Sequence, residues 1–198
     1  MKKQYNGERL IKHSRYCDYY KKIDYSMQVN IIEHIDILIS ENREYCDNGN
    51  YNLSNIFTSI ALYEQLQKKY SKEESFQILS HHMWQYVEKN SMIFRKLEKI
   101  PYFLWIMGIL LPYLFNWGSG YGWHYQWHND LSNNNILKFE CTQCIYQQIF
   151  KKYGLEELGP MFCFVDDINY GDLKNINFTR QHTLCKDGEN CDFLFIRK

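Results

Sequence analysis

Read for the spacing of its apolar side chains, the chain falls into a long helical part and a shorter part in which the period drops to two. From residue 8 to residue 99 helical signals are almost continuous. Met27 to Ile39 sets Val29, Ile32, Ile35 and Ile39 or Leu38 along one stripe, and Ile56, Ile60, Tyr63, Leu66 and Tyr70 form a second after a turn rich in Asn and Gly at 47–55. Ser71 with Glu74 has the form of a capping box, and Phe76, Leu79, Met83, Tyr86 or Val87 and Phe94 continue the helix it opens. Three or four helices are expected in this half.

The run from Ile100 to Trp117 carries no charge. It is about the minimum length for a membrane span, but it contains Pro101 and Pro112 and lacks a second apolar segment or a basic flank bias. The expectation is a helix buried in the core or against a partner subunit. Gly118, Gly120 and Gly122 then loosen the backbone before Trp123, His124, Tyr125, Gln126, Trp127 and His128. A helical turn would put both histidines on one side, as a metal site needs, yet no Glu stands between them as in the zincin pattern. An aromatic flap over a pocket, headed by Trp123, or plain core packing fits these residues better.

In the last third, Gly159 and Pro160 open a helix that places Cys163, Asp166, Asp167 and Tyr170 on one face. Residues 176–185 read as a strand, Lys186 to Asn190 as a hairpin loop around Gly188, and Cys191 to Ile196 as the returning strand. The fold class is therefore α+β: a helical N-terminal half, to about residue 117, packed on a small antiparallel C-terminal sheet, with the motif-bearing α+β part at about 136–198. The 198 residues are most simply one domain.

Composition narrows the partners. With 23 basic and 23 acidic side chains the net charge is zero, which argues against nucleic acid, since phosphate binding needs a basic surplus on one face. Seven cysteines without an apolar leader point to free thiols in a reducing cytoplasm. Cys141, Cys144, Cys163 and Cys191 are numerous enough for zinc, but the second pair lacks the close spacing of structural sites. No cofactor is called for; zinc or another divalent ion stays as the alternative. Cys17, Cys46 and Cys185 read as small buried hydrophobes.

A thiolate is useful only where a neighbour sets its proton balance, so Glu140 beside Cys141, and Asp166 one turn from Cys163, are the candidate catalytic groups. Arg180, between Thr179 and Gln181, suits a substrate carboxylate, with a salt bridge to Asp166, Asp167 or Asp192 as the plain alternative. Asp192 reads equally well as a strand-edge ion-pair partner.

Four elements in order, Phe139-Glu140-Cys141, Cys163-x-x-Asp166, Arg180-x-x-Thr183-Leu184 and Gly188-x-x-Cys191-Asp192-Phe193, make the last third resemble the L-2-amino-thiazoline-4-carboxylic acid hydrolases. Cys185, where a small residue is expected, departs from the pattern. The resemblance implies opening of a cyclic amidine or amide to a carbamoyl-cysteine-type product. It implies Arg180 on the substrate carboxylate, Asp166 on the amidinium and Cys163 or Cys141 as nucleophile or water-orienting group. Thr183, Asp192, Cys191 and Trp123 would complete the substrate site. A small-molecule substrate with a carboxylate is the expected partner, and a homo-oligomer stays open. Two other readings remain: a non-catalytic small-ligand sensor, since the cysteine-bearing C-terminal end also resembles sensor domains of the vinyl-reductase type, and a structural zinc protein.

Overall fold

A computed structural model describes residues 5–48, 50, 52–115, 121–128, 133–186 and 188–198. Asn116, Trp117, Gly118 and Gly120, at the end of the apolar run and in the glycine stretch, lie outside them, as do positions within the expected turns at 47–55 and 186–190. The architecture is α+β. Internal contacts divide the chain into two compact units, Met1–Tyr86 and Val87–Lys198.

The first unit is helical: α1 (Gly7–Lys12), α2 (Cys17–Tyr20), α3 (Tyr25–Glu41), α4 (Arg43–Asp47), α5 (Leu53–Leu66) and the first part of α6 (Lys72–Leu97). The stripes at Met27–Ile39 and Ile56–Leu66 become α3 and α5. Buried almost all round, α5 packs against α1 and α3, with the buried Ser59 hydroxyl bonded to the Asn55 carbonyl and the Tyr16 hydroxyl. The capping box forms as expected. Ser71 N donates to Glu74 Oε2 at 2.9 Å and Glu74 N to Ser71 Oγ at 3.2 Å.

The second unit holds the end of α6, then α7 (Phe103–Leu114), β1 (His124–Trp127), β2 (Ile136–Gln143), α8 (Ile145–Lys152), α9 (Gly159–Tyr170), β3 (Ile176–Thr179) and β4 (Cys191–Arg197). The strands form one antiparallel sheet in the order β1-β2-β4-β3. Its centre is the β2–β4 pair, in register Phe139↔Phe193, Glu140↔Asp192 and Cys141↔Cys191, so two of the sequence motifs are cross-strand partners. Phe139 and Phe193 stack at 4.8 Å between ring centres. Behind α9, the buried Glu98 carboxylate accepts from Lys174 N and Asn175 N, fixing the turn into β3.

The structure departs from the sequence reading at one strand, bears on the two histidines, and removes the core-buried form of the apolar helix. The strand expected over 176–185 ends at Thr179, because the Asp192 carboxylate, at 3.0 and 2.6 Å, takes the amides of Gln181 and His182 that a longer ladder would have used. His124 and His128 are not on a helical turn: their segment pairs with β2 as a strand, where alternating aromatic residues are at home. His124 Nδ1 bonds Thr142 Oγ1 and His128 Nε2 bonds Glu140 Oε1, so the two rings serve different partners. Finally, α7 is not a buried core helix. Leu104 is its buried residue, while Trp105, Ile109, Leu110, Tyr113 and Leu114 stand exposed. Among the described residues no helix is long and apolar enough to cross a membrane.

Candidate active site

Helix α9 begins as the sequence predicts, with Pro160 in its first turn, and carries Gly159, Cys163, Asp166 and Asp167 along one side. Arg180, one residue beyond β3, reaches that side. Its Nη1 donates to Asp166 Oδ2 at 2.6 Å, and its Nη2 to Asp167 Oδ2 at 2.8 Å and to the Cys163 carbonyl at 2.9 Å. The Arg180 side chain is 5 % exposed, against 31 % for Asp166 and 43 % for Asp167. The guanidinium also lies 5.9 Å from the Phe178 ring centre and 5.6 Å from that of Phe193. Thus the plain alternative for Arg180, an ion pair with the acids of α9, is what the side chains form. Its fork tethers α9 to the end of β3.

Around this ion group sit five of the seven cysteines, all of them free thiols. Cys141 and Cys191 face each other across β2 and β4 and share a hydrogen bond. Cys185 lies between Cys144 and Cys163, its thiol within hydrogen-bonding reach of either. The Cys191 sulfur also accepts from Leu184 N at 3.2 Å, and the Cys141 thiol has the Gln143 carbonyl at 3.1 Å.

The consequence is an unequal set. Cys163 is held below the ordinary thiol value, first by the hydrogen bond from Cys185 and then by the Arg180 charge, against burial and Asp166. Cys191 is lowered too, first by Cys141. Cys141 and Cys185, the donors, are pushed up by the same bonds and by burial. Thiolate character therefore concentrates on Cys163 and Cys191, both within reach of the Arg180 charge. Because alkylation follows the thiolate fraction, carbamidomethylation of Cys163 should reach half its maximal rate at a pH below that of an ordinary cysteine, about 8.5. Mass spectrometry of the alkylated peptides against pH checks this, with Cys141 lagging in the same samples.

The other sequence candidates divide. Thr183 is buried, and its hydroxyl has no hydrogen-bond partner among the described residues. Trp123 packs on the Cys141, Cys144 and Cys191 cluster, stacked on Tyr125, with its buried indole N–H lacking a partner among the described residues. Such a donor is available to a ligand. Glu140, by strand alternation, lies on the face of β2 opposite Cys141, and its carboxylate takes His128 at 3.2 Å and Asn190 at 2.8 Å. It is not brought to the thiols. Asp192 is occupied by the amides of Gln181 and His182.

The sequence named Asp167 only as one possible partner of Arg180, and one contributor, Cys185, it missed. Asp167 shares Arg180 with Asp166, and Cys185, read as an inert small hydrophobe, lies between the thiols of Cys144 and Cys163. A signal for Cys185 lies in Gly159: a Cβ there would meet Cys185 Cβ at 2.8 Å and Sγ at 2.9 Å. Gly159→Ala should accordingly destabilise the protein by roughly 1–3 kcal/mol through overpacking and loosen Cys185 from Cys163. Urea unfolding and the alkylation midpoint of Cys163 report the two effects. Among the described residues no group of three or more His, Cys, Asp and Glu side chains is arranged to hold a metal ion, the four zinc-candidate cysteines included. A cleft of about 350 Å³ along α7, lined by Leu104, Trp105, Gly108, Pro112 and Tyr113 among others, shares no residue with the thiol cluster.

Fold and site together define a class: an α+β protein with an arginine-anchored thiol site between a helix and an antiparallel sheet. Within it, residues 51–195 match the model of the L-2-amino-thiazoline-4-carboxylic acid hydrolase family. The chain belongs to that family. No curated protein and no solved structure matches it.

Proposed function

We propose that the protein hydrolyses a cyclic amidine carboxylate of the 2-amino-thiazoline-4-carboxylate type, with Cys163 as the nucleophile. The observation that carries this reading is the placement of Arg180, whose charge falls on the Cys163 thiol while its fork holds Asp166 and Asp167 beside it. Between the two thiols the sequence leaves open, Cys163 is the one lowered and Cys141 the one raised.

In this reading the substrate's carboxylate takes the place of Asp167, the more exposed of the two acids, on Arg180 Nη2. Asp166 pairs with the amidinium, making the carbon between sulfur and nitrogen electrophilic. The Cys163 thiolate adds to that carbon. Collapse of the adduct expels one ring heteroatom, which leaves with a proton, and the ring opens. Water then adds to the same carbon, Cys163 departs as thiolate, and the water oxygen remains as the carbonyl of a carbamoyl-cysteine product. Trp123 N–H and Thr183 supply orienting contacts.

The test is incubation of the protein with 2-amino-thiazoline-4-carboxylate, followed by NMR of the ring carbons. Conversion to a carbamoyl-cysteine supports the reading. Saturable binding with the ring left intact would instead favour a ligand-sensing module.

A further inference from the structure

Cys185 touches no substrate in the hydrolysis just described, yet its position is tightly defined. Its side chain lies against Gly159, where even a Cβ would come within 2.8 Å, and Cys163 follows one helical turn later on the same side of α9. The Cys185 thiol hydrogen-bonds Cys163 from there. We propose that Cys163 and Cys185 form a reversible disulfide, closed by a hydroperoxide and reopened by small thiols.

Three observations single out this pair among the five thiols. Cys185 is the one that is partly exposed, whereas Cys141, Cys144 and Cys191 are 2 %, 3 % and 5 % exposed and shielded by Trp123, Tyr125 and Tyr146. Second, the segment from Arg180 to Asn190 has no strand pairing among its described residues; Lys186 N and Gly188 N both return to the Thr183 carbonyl, so Cys185 rides on a turn that can adjust to disulfide geometry. Third, Cys163 has the thiolate character that a first oxidation requires, and Cys185, as the protonated partner, is placed to resolve it.

The chemistry balances as follows. The Cys163 thiolate attacks one oxygen of the hydroperoxide: an S–O bond forms, the O–O bond breaks, and the other oxygen leaves as alkoxide, which takes a proton. The Cys185 sulfur then attacks the sulfenic sulfur; the S–S bond forms, the S–O bond breaks, and hydroxide leaves with the Cys185 proton as water. Two thiols lose two electrons and the hydroperoxide gains them. Two equivalents of a small thiol reverse the step by exchange.

Trypsin makes the test direct, because Cys163 falls in residues 153–174 and Cys185 in residues 181–186, with no other cysteine in either peptide. The full-length protein is treated with one equivalent of hydrogen peroxide, remaining thiols are blocked with N-ethylmaleimide, and the digest is mapped without reduction. The expected result is the 153–174 and 181–186 peptides joined, lighter than their sum by two hydrogens, and separated by dithiothreitol. In Cys185→Ser the link should be lost, and with peroxide raised to two or more equivalents Cys163 should advance to sulfinic acid. A link from 181–186 to the Cys144 peptide, or wild-type Cys163 reaching sulfinic acid with no link at all, would overturn the proposal. The wild-type map alone decides if the variant fails to fold. Since it reads linkage and not turnover, its outcome is independent of the hydrolase reading.

Discussion

Cys163→Ser should lower kcat/KM for 2-amino-thiazoline-4-carboxylate by about a thousandfold or more while leaving the unfolding midpoint close to that of the wild type. The asymmetry between the two effects follows from what each atom does. Cys163 is 8 % exposed, and what its sulfur receives from Cys185 and Arg180 bears on its charge more than on packing. A hydroxyl fits the space but has an alkoxide far harder to form, so a step that needs the thiolate is lost. Cys141→Ser provides the contrast. That thiol is raised and engaged with Cys191 and the Gln143 carbonyl, so its replacement should cost less than about tenfold. Comparable losses in both variants would count against assigning the nucleophile to α9.

Arg180→Met should show the second large effect, this time on both stability and chemistry. The substitution keeps the side-chain length against Phe178 and Phe193 but removes the donors to Asp166, Asp167 and the Cys163 carbonyl. Breaking a fully buried ion pair costs about 3–5 kcal/mol. Here the two acids are 31 % and 43 % exposed and regain water, so a loss of roughly 2–3 kcal/mol is the reasonable expectation. Urea unfolding with an unchanged slope measures it. With the cation gone, the Cys163 alkylation midpoint should also move to higher pH, because a lowered thiol loses one of the charges that lowers it. Arg180→Lys, which keeps charge but not the fork, should fall between. A stability change under about 0.5 kcal/mol in Arg180→Met would mean that the ion group does not tether α9 in solution.

How much of this the sequence disclosed depends on whether the determining contacts are local. Helix α9 was legible to its first residue, since Gly159-Pro160 and the spacing of Cys163, Asp166 and Asp167 are local signals. The partners of Arg180 were legible as a set. Which acids it takes is settled by the end of β3 at Thr179: the side chain of residue 180 then turns to α9, while Asp192 caps the amides that follow. Strand β2 had its alternation in plain sight, with Leu137, Phe139 and Cys141 buried and the residues between them less so, yet only its Phe-Glu-Cys segment drew notice, as a motif. Local spacing cannot show that Cys185 lies on α9, because that contact joins residues 26 apart, with the rest of α9 and all of β3 between them. Nor could an all-apolar run declare which side of α7 would meet the sheet. With no polar residue to mark a face, Leu104 and Trp105 look alike in sequence and differ in burial, 3 % against 51 %.

In the proposed hydrolysis the chemistry runs through the Cys163 sulfur. Its most direct test is to alkylate the protein progressively with iodoacetamide, following residual hydrolysis of 2-amino-thiazoline-4-carboxylate and the modified fraction of the 153–174 peptide in the same samples. The expected result is a straight line from full activity at no modification to none at complete modification of Cys163, with substrate slowing both together. Undiminished hydrolysis by protein fully alkylated at Cys163 would contradict it.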